Sequence, residues 1–503
     1  MNAPAVPTTA DVVVAGGGPA GATIARLLAG FDLRVVLLEK RRFPRHHIGE
    51  SLTPHILPVL DFLGVRARIE AAGFLRMAGH TVCWGTPHPR TSYYSPDRSR
   101  QGFQAWRADF DSLLFAHARA GGVQAFEGRA VEHVHLTEGS GVTVHYAPQG
   151  RIHASFFVDA SGHTGILARQ GFRRRDAVFQ TLALTGYWRG AGGPPGTDFA
   201  NTVLETSPDG MVWSVPLHNG VRNVTLLVDW HAGAQIRRDG LLPFYLSALQ
   251  RLPYLSDLLR GAQLEWAPRA CDATLYTASA FAGAHFLLVG DAGLFIDPLS
   301  SEGVHKAIAS AITGAVVVNT ILRRPAMTPH AVRFYEEGQR ATYTAHYDQS
   351  LRYYREEARW SHHPFWQRRS AGAPTGPHPD PPRSDVHTSP RAPLRITHLR
   401  PAPEVKIERH PVVEGPYIEL REAVIAPPYP RGLRFLQGVH VPTLLQILQN
   451  HSAIIDVLTT YLNRPEGKQC PPESIRQVLA RLYHEGVLVA DEAGRRRDAR
   501  NRP

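Results

Sequence analysis

Apolar residues first gather into an unbroken run, Val12 to Ala15, the pattern of a short strand buried on both faces. Glycines follow at 16, 18 and 21, then a helical period through Leu28, then a second apolar run from Val35 to Leu38 that ends on Glu39. Strand, glycine turn, helix, strand and acid form the order in which a chain binds a dinucleotide. Gly16 makes the tight turn, Gly18 lets the backbone approach a pyrophosphate, and Gly21, beside Ala20, allows helix to pack on strand. Glu39 stands where a carboxylate accepts ribose hydroxyls.

From about Phe103 to Tyr276 the pattern changes to strand-like alternation punctuated by Gly and Pro, with "VTVHYA", "LALTGYWRG" and "NVTLLVDW" reading as strands. This predicts a mixed sheet inserted between dinucleotide-binding pieces. A further buried strand, Phe286 to Val289, stops at Gly290 and Asp291, which places that acid at the ligand-facing edge of an α/β sheet. Next comes "FIDPLSSEGVHKAIASA". Its helical period starts after Gly303, with Val304, Ala307, Ile308 and Ala311 on one face, so the helix presents free amides and a positive dipole to the loop before it.

The stretch containing "AGAPTGPHPDPPRSDVHTSPRAP" is rich in Pro, Ser and charge and reads as a linker. Beyond it, "VPTLLQILQNHSAIIDVLTTYLN" and "PPESIRQVLARLYHEGVLVA" show helical periodicity closing through Gly486 into a strand, which suggests a winged-helix-like domain. The expected organisation is a core over 1–366, a Pro-rich linker over 367–403, a small domain over 404–492 and a basic tail over 493–503. Within the core, dinucleotide-binding pieces cover about 8–80, 101–180 and 276–345, and a substrate sheet covers about 81–100 and 181–275.

A chain of 503 residues with 43% hydrophobic and 20% charged residues describes a globular protein large enough to enclose a ligand. No apolar run is read as spanning a bilayer and the N-terminus lacks the features of a secretory signal, so a cytoplasmic location is expected. Cys83, Cys271 and Cys470 have no paired spacing and are expected as buried thiols. The 26 histidines lack ligand-like spacing, so no metal is expected. The net charge of +11 lies largely in runs such as "FRRRD" and "GRRRDARNRP" without aromatic interleaving, which argues against nucleic acid as a partner.

"GGGPAGATIA" with Glu39, "FPRHHIGESLTP", "VDASG" and "LLVGDAGLFIDPLSSEGVHKA", in that order, resemble the FAD-dependent monooxygenase superfamily of the p-hydroxybenzoate hydroxylase type, in its flavin-dependent halogenase branch. The resemblance covers roughly residues 10–345. It implies an α/β fold: a Rossmann-like FAD-binding domain of the glutathione-reductase type, a mixed β-sheet substrate domain and the small C-terminal domain. It implies FAD held by Gly16, Gly18, Ala20, Gly21 and Glu39, with Arg107 along the pyrophosphate, Asp291 on the ribityl chain, and Pro298, Gly303 and Val304 in the loop that cradles the isoalloxazine ring.

Halogenases of this branch carry a lysine that captures hypohalous acid, and Met77 falls at that position in "GFLRMAGHTVCWG". Their Trp-x-Trp-x-Ile-Pro segment is incomplete in "MVWSVP", and Ser300 stands where they have a glutamate, with Glu302 displaced along the loop. The resemblance with these departures implies hydroxylation of an electron-rich indole or phenol through a flavin hydroperoxide, with halogenation as the alternative and a non-catalytic flavin-linked regulator as a third reading. Glu302, His47, Glu50 and His305 are the catalytic candidates, and Trp84, Trp106, Trp188 and Trp213 the candidate lining of an aromatic pocket. The core plus appended domain is also similar to the flavoprotein monooxygenases that hydroxylate a tryptophan of a precursor polypeptide in cysteine tryptophylquinone biogenesis for quinohemoprotein amine dehydrogenase. A peptide- or carrier-bound substrate is therefore an expectation. A second glycine fingerprint for NAD(P)H is absent, which favours a separate flavin reductase as the source of reduced FAD.

Overall fold

The computed structural model describes residues 5–137, 139, 141–192, 199–373, 396–468 and 470–493. The chain divides into two units, Met1–Gly376 and Pro377–Pro503.

In the first unit, strand Thr9–Ala15 lies between Val35–Glu39 and Gly150–Asp159, all parallel, with Gln124–Glu127 and Phe286–Leu288 extending the parallel sheet. Val12, Val13 and Val14 are fully buried, as their unbroken apolar run requires. Gly141–Tyr146 and Val131–Thr137 add an antiparallel flap. Helices Pro19–Ala29 and Gly303–Arg323 pack together on this sheet. A second, mixed sheet runs in the order Gln263–Asp272, Thr181–Arg189, Val221–Asp229, Gly210–Pro216, Thr202–Ser207, Gly79–Cys83 and Arg90–Tyr93.

The strand-rich reading of 103–276 missed several helices. Arg107–Ala120 is the most consequential: Ala108, Phe110, Leu114, Phe115 and Ala118 bury one helical face, but the interspersed Asp, Ser and Arg masked the period in sequence. Gly303–Arg323 is long and apolar enough by composition to cross a bilayer, contrary to the expectation that no run is. Most of it is buried in the core of this unit, the usual place for such a helix in a globular domain. The cysteines also differ from expectation: Cys83 is buried, Cys470 half-buried and Cys271 exposed.

The linker begins later than its composition implies. Residues Pro364–Ser370 form a helix whose Phe365, Trp366 and Arg369 are buried. The Arg369 guanidinium donates to Asp229 Oδ2 at 3.2 Å, Gln180 O at 2.8 Å, Thr181 Oγ1 at 2.8 Å and Phe365 O at 3.1 Å. At the far end, Leu399–Pro401 pairs with Leu488–Ala490 in the small unit. Residues 374–395 of the expected linker, and 494–503 of the basic tail, lie outside the described residues.

The small unit opens with an antiparallel meander, Lys406–Glu414, Tyr417–Ala426 and Tyr429–Leu433, which the sequence reading did not anticipate. Helices Val441–Leu448, Ile454–Leu462 and Pro472–His484 follow, the long helical run being broken at 449–453. They enclose a core of their own that includes Leu444, Leu448, Val457, Ile475 and Leu482. Because each unit has its own core, a chain ending at Ala373 is expected to unfold cooperatively and to retain flavin, checked by thermal denaturation and absorbance. Loss of flavin on that truncation would tie the cofactor to the small unit.

Candidate active site

The glycines separate into two kinds. Gly16 has φ +105°, and a Cβ there would lie 2.3 Å from Ala160 O; at Gly21 it would lie 1.8 Å from Gly16 O. Both are demanded by the fold itself. Gly18 caps helix Pro19–Ala29 in extended conformation with no side-chain cap, and a Cβ there meets only Arg45 Nη2, at 3.3 Å. The space over Gly18 and the helix's first amides is therefore left open toward an anion. Glu39 is buried, its Oε2 accepting from Gly17 N at 2.8 Å and its Oε1 from Arg41 N at 2.9 Å. Ala20 packs under the turn against Gly290, at the end of strand Phe286–Leu288.

Arg107 is buried at the start of helix Arg107–Ala120, forked onto Asp111 at 2.9 and 3.1 Å and donating to Ile48 O at 2.9 Å. Arg45 was passed over in the sequence reading in favour of the histidines beside it. Its Nη1 lies 3.2 Å from Asp111 Oδ2, and its buried Nε, which makes no hydrogen bond, lies 3.6 Å from Glu39 Oε1 in an ion pair. The Nη2 end of the same guanidinium stands beside Gly18, where it fits a pyrophosphate oxygen.

The two motifs "FPRHHIGESLTP" and "DPLSSEGVHKA" meet at Glu302. Its Oε1 accepts from Thr53 Oγ1 at 2.8 Å and lies 3.0 Å from His55 Nδ1, and its Oε2 lies 3.0 Å from His305 Nδ1. Burial alone would raise the Glu302 pKa, but the hydrogen bonds from His305, His55 and Thr53 outweigh it and hold the carboxyl far below its usual range. Between Asp297 and Glu302 the chain makes a short turn, Pro298–Ser300, and Ser301 is left-handed at φ +54° with a buried hydroxyl that has no partner. Helix Gly303–Arg323 then begins without a side-chain cap, and a Cβ on Gly303 would meet nothing within 4 Å. Val304 turns into the core. The open face over Gly303, the bare amides and the unpartnered Ser301 hydroxyl fit a planar ring with polar edges.

The hydrogen bond to Glu302 raises the His55 pKa above its ordinary 6.5, against a smaller opposing effect of burial. A raised histidine contributes stability below pH 6.5 and loses it as pH rises through the folded value, whereas the depressed Glu302 contributes above 4.5 and loses it only in strong acid. The junction is therefore firmest between about pH 4.5 and 6.5. Glu302→Gln is expected to return His55 toward 6.5, read by NMR on histidine-labelled protein. An unmoved His55 would mean that Glu302 does not control it.

Asp291 stands at the end of its strand, as expected, in an ion pair that the sequence reading missed. Lys306 Nζ, almost wholly buried, donates to Asp291 Oδ1 at 2.7 Å and to Leu294 O at 2.5 Å. Lys306 lies off the apolar face of "GVHKAIASA", on the side of Ser310, where sequence reads it as solvent-facing.

The other candidates are more dispersed. Glu50 is buried, receiving Tyr187 OH at 2.6 Å and Gly49 N at 2.9 Å, and burial pushes its pKa up. The protein packed around His47 and the nearby Arg107 charge push its pKa down to about 4, although His47 is exposed. His346, on helix Thr328–Glu356, was not anticipated; its Nδ1 is buried without a partner, and burial and the Lys306 charge bring it to about 4. The four tryptophans do not all meet. Trp213 borders one cluster with Trp84, beside Met211 and Leu227, and a second with Trp106, around Tyr187 and Val215, while Trp188 donates to Tyr245 OH. Met77 is buried in strand Leu75–Met77, its sulfur 3.4 Å from Ser51 Oγ. Among the described residues, no group of three or more His, Cys, Asp or Glu could hold a metal.

The FAD binding domain family matches residues 9–325. Tryptophan 2-halogenase of Chondromyces crocatus is 35% identical over 66% of this chain and 65% of its own length, so the alignment spans just under two thirds of that relative. Flavin-dependent halogenase armH3 of Armillaria mellea is 32% identical over 67% of this chain and 73% of its own. The flavin-dependent halogenase CmlS shares the fold with a TM-score of 0.78 at 24% identity, covering 96% of each chain. The peptidyl tryptophan dihydroxylase QhpG shares it at 0.70 and 24%, covering 95% of this chain and 99% of its own. These matches support FAD as the cofactor, and a family alignment running from the first strand through Arg45, Arg107, Asp291 and the Glu302 loop shows that the chain belongs to the FAD-dependent monooxygenase superfamily, in its flavin-dependent halogenase-like branch.

Proposed function

We propose that the protein hydroxylates an electron-rich aromatic ring, an indole or a phenol, using reduced FAD delivered by a separate reductase. Bound FAD would supply the activation of O2, one oxygen atom entering the ring and the other leaving as water. The observation that carries this reading is Met77. A buried thioether against Ser51 cannot form the amine-bound halogen species for which halogenases of this branch use a lysine, and the neighbouring Arg76 cannot readily lose a proton to replace it.

In this reading Gly16, Gly18, Gly21 and Glu39 bind the ADP half of FAD, with Ala20 packed beneath. Arg45 and Arg107 serve the pyrophosphate edge, Asp291 with Lys306 the ribityl chain, and Pro298 to Val304 the ring. Glu302, ionised and fully engaged, positions the loop and does not carry a proton. His346 offers its open Nδ1 as an acceptor for a substrate N–H or O–H, and His47, held neutral, and His305 are the remaining groups able to move a proton. Glu50 keeps Tyr187 and Gly49 in place.

A second reading, halogenation, is favoured by the names of the curated relatives, most of which are halogenases; the comparisons back it better than hydroxylation. That the substrate is a tryptophan within a polypeptide has support from fold likeness to QhpG alone. Mass spectrometry of products from purified protein, reduced FAD and O2, with tryptophan peptides and free aromatics, with and without chloride or bromide, decides among these. Added oxygen mass regardless of halide supports hydroxylation. A halide-dependent mass overturns it and assigns the halogen transfer to a residue other than Met77.

A further inference from the structure

Immediately after Glu39 the chain reads Lys40-Arg41-Arg42-Phe43-Pro44-Arg45, four cations in six residues. The fold adds more at the same place. Arg129 N bonds Glu39 O at 2.8 Å and Gly128 N bonds Arg41 O at 3.4 Å, which brings the 128–129 turn alongside. Lys40 Nζ donates to Thr164 Oγ1 at 2.9 Å, next to the segment that carries Arg169. Burial of its stem, and the charges of Arg41, Arg45 and Arg169, hold the Lys40 pKa down despite the nearby Glu39, a sign of crowded like charges. Lys40, Arg41, Arg42 and Arg169 are exposed, and among the described residues no acidic side chain forms an ion pair with Arg41, Arg42 or Arg169. Glu39, which accepts from Gly17 N, joins this basic run to the glycine turn, and Arg45 Nη2 stands beside Gly18.

We propose that this rim is an electrostatic entrance for dinucleotide diphosphate, through which reduced FAD arriving from solution is drawn onto the turn. The inference rests on the proposed function, in which a separate reductase releases reduced flavin that must diffuse to this protein and bind before it is reoxidised. Unpaired cations at the mouth of a cleft raise the capture rate of an anion and do so less as salt screens them. They add little once the ligand is bound in the dry interior, so their contribution belongs to association. A nicotinamide dinucleotide carries the same diphosphate, and the test separates the two sources.

Full-length protein freed of flavin is mixed with FAD in a stopped-flow instrument and quenching of flavin fluorescence is followed across ionic strength. For the natural protein the association rate is expected to fall about tenfold between low and high salt. The double variant R41A/R42A is expected to lose about tenfold at low salt and to show a flattened salt dependence, with the dissociation rate changed less than about twofold. R237A/R238A removes the same charge from an exposed helix elsewhere in the unit and is expected to leave the rate unchanged. Riboflavin, without phosphate, should be insensitive to salt and to either variant. Equal slowing in both double variants, or a change confined to dissociation, overturns the proposal. So does NADPH that slows FAD capture by the natural protein but not by R41A/R42A, since the rim would then serve a nicotinamide dinucleotide. Failure of the natural protein to take up FAD at all would instead sink the cofactor reading, and the rim with it.

Discussion

Gly18→Val is expected to yield a folded, colourless protein. Gly18 sits at φ −74° and ψ −173°, ordinary extended backbone that valine adopts readily, and its Cβ would touch only the end of the flexible Arg45 side chain. The added methyl groups instead fill the space through which a pyrophosphate must reach the helix amides. We expect FAD affinity to fall at least about a hundredfold, some 3 kcal/mol, with thermal unfolding by circular dichroism moved by less than about 1 kcal/mol. Gly16 and Gly21 provide no such separation, because a Cβ at either runs into backbone within 2.3 Å and disrupts the fold along with the site. Normal flavin content in Gly18→Val would show that the pyrophosphate does not lie over this residue.

Arg369→Met is expected to cost roughly 3–5 kcal/mol of stability in urea denaturation. The guanidinium is fully buried, and its loss leaves Thr181 Oγ1 without its donor, takes one of two donors from Gln180 O, removes the side-chain bond to Phe365 O and weakens the hold on Asp229. It also lies 3.8 Å over the Phe365 ring, a contact methionine restores only in part. Its neighbour Arg368 reaches the same Asp229 at 3.0 Å from a 42% exposed side chain, so Arg368→Met should cost less than about 1 kcal/mol. Similar losses in the two variants would mean that the buried network does not hold this helix to the sheet.

How legible each feature was in sequence follows from how local its physics is. The dinucleotide turn was readable because its glycines, strands and acid are contiguous and each type answers one steric demand. Arg369 was not, since the Pro- and Ser-rich composition that follows it spread the linker reading backward over a packed helix. Helix Arg107–Ala120 was hidden because its buried side carries Arg107 and Asp111, forked onto each other, among the apolar residues and so breaks the apolar period. Glu302 stands out in sequence as a catalytic candidate, but its surroundings are not legible there. Its partners Thr53 and His55 lie 249 and 247 positions away, and only their convergence shows a carboxylate anchored by hydrogen bonds. Arg45 and His346 were missed because what distinguishes them is a buried atom without a hydrogen bond, which no spacing rule exposes.

Helix Gly303–Arg323 ties two properties together that an evolving enzyme would gain by keeping apart. One end aims bare amides into the candidate site; the rest is the spine of the core, so tight at Gly314 that an added Cβ would stand 2.6 Å from Leu287. Any change along the spine moves the amides, and any retuning of the amides strains the spine. Change in such a protein is channelled elsewhere, to parts such as the mixed second sheet, whose side chains can vary without moving this helix or the cofactor's electrostatic setting.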